Sequence, residues 1–189
     1  MSSPAASGCP EVLAGLRHRF GPAVILVTVF AGSLGGFEAI HRRSAVEDVA
    51  RQPGGWLGAI LVVAVSAVIH ELIHALGWIA FAKLPWRSLT VRRTLRVMGS
   101  IACTNTTMPV PAFRLSTVLP AVILAGGSIA TGLAAGQGLF VLWGNFFLLE
   151  CYSDLTVLLA TARLPASAKV REYPDRLGCA LVDDRGGQA

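Results

Sequence analysis

Four apolar blocks, each close to the length of a membrane-crossing helix, alternate with polar stretches along this chain. The first covers residues 22–40 and is interrupted only by Thr28, Ser33 and Glu38. The second, 56–82, opens on Trp56, an aromatic suited to the headgroup region, and carries no charge before His70. Residues 115–136 and 139–162 follow almost without a break and are joined at Gly136-Gln137-Gly138. About 20 helical residues cross the hydrocarbon core of a bilayer. The pattern therefore predicts an all-α membrane protein, one integral domain over 1–189 with four transmembrane helices at 22–40, 56–82, 115–136 and 139–162. The short last join forces its two helices to run antiparallel.

The polar stretches differ among themselves. Residues 83–114 hold six of the sixteen basic residues and alternate apolar with polar positions in Leu89-Thr90-Val91 and Ile101-Ala102-Cys103-Thr104. That period of two predicts a small β-hairpin insert between the second and third helices. Met108-Pro109-Val110-Pro111 reads as its rigid, extended exit. From Arg163 to Ala189 the chain is a polar tail, expected to fray after Asp184.

Composition strengthens the membrane reading: 53% of residues are apolar and 14% charged, against about 25% charged in soluble domains. A net charge of +5 would suit nucleic acid, but the arginines sit at the ends of apolar runs, so the bilayer is the expected partner and nucleic acid is not. Basic residues also set orientation. Arg17 and Arg19, the six of 83–114 and the five of the tail share one side, against Arg42, Arg43 and Arg51 on the other. By the positive-inside rule both termini and the insert are cytoplasmic, in a multi-pass protein of the plasma membrane. Arg17-His18-Arg19 ahead of an apolar run has the look of a signal peptide, but the run is long and lacks a clear cleavage site, so it is expected to stay as a span. Cys9, Cys103, Cys151 and Cys179 form no paired spacing and are expected to be free thiols.

One stretch carries chemistry. His70-Glu71-Leu72-Ile73-His74 lies inside the second block. Residues four apart share a helix face, so His70 and His74 can ligate one metal ion, with Glu71 placed to act on a metal-bound water as general base. Two imidazoles and a nearby carboxylate are the donor chemistry of zinc hydrolases. Gly77, three residues on from His74, would let another segment approach the ion.

Topology nominates the third ligand. The second and fourth helices run the same way. His74 lies nine residues before Lys83 and Asp154 nine before Arg163, about 13–14 Å from the cytoplasmic ends of their helices. Asp154 is thus the leading candidate, although an arginine near that end is another partner it could take. Glu150, one turn earlier on the same face, is the alternative ligand or a supporting acceptor. An ionisable group inside a span is expensive and points to function, whereas Asn145 is expected to hydrogen-bond a neighbouring helix and Cys151 to pack.

With HELIHALG in an early span, a basic β-like insert, Leu119-Pro120 leading the third span and a late aspartate, the chain resembles the membrane-embedded putative zincin peptidases, a domain of unknown function distantly similar to the site-2 proteases. Ser153 stands where that family usually has a glycine before the aspartate. The resemblance implies zinc held by His70, His74 and Asp154, with Glu71 catalytic. The expected activity is intramembrane hydrolysis of a peptide bond in a peptide or transmembrane protein substrate, with strands 89–104 holding the unwound segment. The competing reading is a non-catalytic membrane protein with a structural or sensory metal site. A metal or proton relay through His70, His74, Glu150 and Asp154 is disfavoured by four short spans and one tight ligand cluster.

Overall fold

The computed structural model describes residues 20–51, 55–94, 97–103, 106–172 and 179–182. The polar start with Arg17-His18-Arg19, Pro53-Gly54 and the tail beyond Val182 lie outside them. Helix α1 is Phe20–His41, followed by the short α2, Ala45–Arg51, and by α3, Gly55–Ala82. Strands β1 (Leu89–Thr94) and β2 (Val97–Cys103) come next, then β3 (Met108–Pro109). The rest is α4 (Val110–Pro120), a π-helical turn (Ala121–Gly126), α5 (Gly127–Ala135), α6 (Gly138–Glu150), α7 (Tyr152–Thr161), β4 (Lys169–Glu172) and β5 (Cys179–Val182).

Among the described residues, three helices are long and apolar enough to cross a bilayer: Gly21–His41, Ile60–Ala82 and Val110–Ala135, the last running through α4, the π turn and α5. Their outward faces are apolar, with Val24, Val27, Ile60, Leu61 and Val68 all more than half exposed, as expected of helices consistent with a membrane protein. The fourth block is not one helix. It breaks at Cys151, whose ψ of 5° leaves the helical region, into α6 of 13 residues and α7 of 10. The third helix also begins earlier than expected, at Val110 rather than 115, because a proline in the first helical turn costs no hydrogen bond.

The hairpin expected at 89–104 is a two-stranded antiparallel pair, with Leu89 opposite Cys103 and Val91 opposite Ile101. A second sheet, ordered β3-β4-β5, is built from the end of the insert and the tail. Met108 pairs with Val170, and Lys169 with Val182, so part of the tail is structured where a polar extension was expected. Trp78, Leu84, Met108, Val110, Phe113, Val170 and Cys179 form one buried cluster that fastens this sheet to the adjoining ends of α3 and α4.

The opposite end is fastened by polar groups. Gly136 adopts φ +65°, the left-handed conformation that lets α5 turn into α6. Arg43 donates to the Gly136 carbonyl at 2.6 Å and pairs with Asp48 at 3.2 Å, and Asp48 accepts the Gly138 N–H at 2.7 Å. His41 Nε2 adds a bond to the Leu133 carbonyl at 2.8 Å. Midway along, Asn145 donates to Ser33 of α1 at 2.9 Å, the interhelical bond expected of it. These ties hold α1, α5 and α6 as a frame beside α3.

Candidate metal centre

Because α3 is a regular helix, His70 and His74 stack one turn apart, and both are 8% exposed. Their Nε2 atoms are 3.0 Å from each other. Asp154, from α7, brings Oδ2 to 2.9 Å from His70 Nε2 and 3.3 Å from His74 Nε2. Asp154 sits in the first turn of α7, where the exposed N–H groups favour a negative charge. The break at Cys151 is what places such a helix start beside α3.

The orientation of His74 follows from its other nitrogen. Nδ1 lies 2.9 Å from the Ser116 main-chain carbonyl, which can only accept, so Nδ1 carries the proton and neutral His74 presents a bare Nε2. This contact needs α4 to come very close to α3, and it does so at Gly77. A Cβ there would lie 3.0 Å from Cα, Cβ and Oγ of Ser116. Trp78 lies nearly parallel to the same imidazole, at 6.1 Å between centroids and 18° between planes. For His70 the corresponding neighbour is Cys151, whose Sγ is 3.8 Å from Nδ1. The thiol therefore lies at the edge of the ring away from Asp154, outside the group of converging donors.

Arg114 of α4 donates to the carbonyls of Thr161 and, at 2.9 Å, Leu164, which caps the C-terminus of α7. Asp154 thus takes two histidines as partners, and the arginine near that end is occupied with backbone. Glu150 accepts from Ser66 Oγ at 2.8 Å, one turn before His70 on α3, and is not part of the donor group. Glu71 is half-buried beside His70.

His70, His74 and Asp154 each offer one donor atom, all within 4.8 Å of one another, and they form a group that could hold a metal ion. Tetrahedral zinc with bonds of about 2.0–2.1 Å holds its donors about 3.3 Å apart, close to the 2.9–3.3 Å separations of these three. A bare imidazole nitrogen, a second imidazole and a carboxylate oxygen converge on one point, an arrangement that a cation satisfies. The residues present fit zinc on both counts. Ser116 and Arg114 were not legible as parts of the site, since one acts through its main chain and the other on main-chain groups.

A family model described as putative zincin peptidase matches residues 63–169, more than half of the chain, and takes in α3 from residue 63 on, the insert, α4 to α7 and the first residue of β4. No curated protein and no solved structure matches the chain.

Proposed function

The chain belongs to the putative zincin peptidase family, and from that premise we propose that it is a zinc-dependent intramembrane metallopeptidase acting on a membrane-associated peptide or transmembrane protein. The observation that carries the proposal is the convergence of His70 Nε2, His74 Nε2 and Asp154 Oδ2 on one point, with a carboxylate at Glu71 in the same helical turn. His70, His74 and Asp154 would hold the zinc, which would supply a Lewis acid and make the attacking water more acidic. Glu71 takes the proton of the attacking water on its carboxylate and returns it to the leaving amine. Ser116 keeps His74 in the tautomer that leaves Nε2 bare, and the first turn of α7 sets the Asp154 carboxylate against both imidazoles.

In this reading α6 and α7 together make the fourth crossing of the plasma membrane, and both termini are cytoplasmic. Water and the substrate then reach the site from the cytoplasmic end, where the β1–β2 hairpin offers a strand edge to an unwound peptide. The test compares purified wild type with Glu71→Gln for bound metal and for cleavage of a membrane substrate. Stoichiometric zinc in both with cleavage lost only in the variant supports a peptidase. Equal cleavage by the two refutes Glu71 as the base, and bound zinc with no cleavage by either leaves a structural or sensory metal site.

A further inference from the structure

The carbonyl that orients His74 is available because of a proline, and we propose that Pro120 is a positioning residue for the metal centre. The inference rests on reading His70, His74 and Asp154 as a metal site. In a regular α-helix the carbonyl of Ser116 accepts the N–H of the residue four positions on. That residue is Pro120, which has no N–H to give. The next backbone donor, Ala121 N–H, bonds to the Val118 carbonyl. The Ser116 hydroxyl is turned back onto the Ala112 carbonyl at 2.8 Å. What Ser116 presents to α3 is therefore its main-chain oxygen, and the group that satisfies it is His74 Nδ1–H at 2.9 Å.

Shape does not account for the proline. Pro120 has φ −60° and ψ −40°, and Ala121 has −61° and −40°, so the backbone runs through the position as helix. The widening to π-helical turns begins only after it, at Ala121. Any residue fits those angles. What proline alone contributes is the missing donor, four residues beyond the one carbonyl that Gly77 allows against His74. Ser116 is fully buried, so this carbonyl would otherwise be an acceptor without a partner.

Pro120→Ala restores an N–H aimed along the helix at the Ser116 carbonyl. His74 Nδ1–H then shares or loses its acceptor and the imidazole loses its fixed tautomer and angle. Loss of such a supporting hydrogen bond weakens metal binding about 10- to 100-fold. Helix stability moves the other way, since alanine inside a helix is favoured over proline. A decisive companion variant carries an α-hydroxy acid at position 120, an ester link with neither an N–H nor a ring.

The experiment titrates Co²⁺ into the purified full chain in detergent, reading the visible spectrum for affinity and thermal unfolding of the metal-free protein for stability. Expected are a 10- to 100-fold weaker Kd for Pro120→Ala, a Tm no lower than wild type, and near wild-type affinity for the ester variant. Wild-type affinity in Pro120→Ala overturns the inference and leaves the metal site standing. Equal weakening in the alanine and ester variants overturns it too, because the ring would then be what matters. A wild-type chain that binds no Co²⁺ removes the metal reading itself.

Discussion

Gly77→Ala adds one methyl at the closest approach of α3 and α4, and its effect can be worked through from the structure. The new Cβ would meet Cα, Cβ and Oγ of Ser116 at 3.0 Å, against 3.4–4 Å for ordinary contact, and two of those atoms are held by the backbone of α4. The helices must part by about 0.5 Å, which stretches the His74 Nδ1–Ser116 carbonyl distance from 2.9 Å to about 3.4 Å, past the useful range of an N–H···O bond. A neutral hydrogen bond contributes about 1 kcal/mol net, and a buried carbonyl left without a partner costs about 1–3 kcal/mol. Some 1–2 kcal/mol of that falls on the metal-bound geometry, which corresponds to roughly 5- to 30-fold in affinity. Overpacking of about 1–3 kcal/mol is partly offset by the ~1 kcal/mol that alanine gains over glycine in a helix, so the fold is weakened modestly. The assay is zinc competition against a chromophoric chelator, with thermal unfolding alongside. Gly35→Ala is the control, because its Cβ would meet nothing within 4 Å. Unchanged zinc affinity in Gly77→Ala would refute the claim that the close approach is what orients His74.

Two other substitutions separate the roles of neighbouring groups. Asp154→Asn should weaken zinc binding by about 100-fold or more, while Glu150→Gln, which only alters a pair with Ser66, should keep one zinc per chain by elemental analysis. Arg114→Ala strips the cap from the Thr161 and Leu164 carbonyls; a loss of about 1–3 kcal/mol in stability and a weaker zinc site are expected, measured by thermal unfolding and competition titration.

How much of this was readable beforehand depended on whether a residue carried its own signature. His70 and His74 share a face because helical period alone requires it. Asp154 could be matched to them from 80 residues away because basic residues mark the ends of apolar helices and so act as a ruler for depth. Alternation at Leu89-Thr90-Val91 gave away the hairpin. The break at Cys151 had no such mark, since neither glycine nor proline stands beside it. Strands β4 and β5 are four residues each and are made by pairing, β4 onto Met108 and Pro109 and β5 onto β4, a tertiary cause that local pattern does not carry. Pro109 and Pro111 suggested an extended exit, yet Pro111 serves as a helix start. Ser116 acts through a carbonyl that every residue has, so its part shows only once α4 lies on α3.

The double fastening of α4 has a consequence for error. Ser116 fixes the angle of a donor on α3, and two residues earlier Arg114 fixes the end of the helix that bears Asp154. Both measurements are taken from one bar, as the two jaws of a calliper are referenced to one beam. A displacement of α1 or of the α5–α6 join leaves the spacing between the jaws as it was, whereas a small bend in α4 misreads both at once. Tolerance to substitution should therefore be lowest along α4, even though none of its side chains belongs to the donor group.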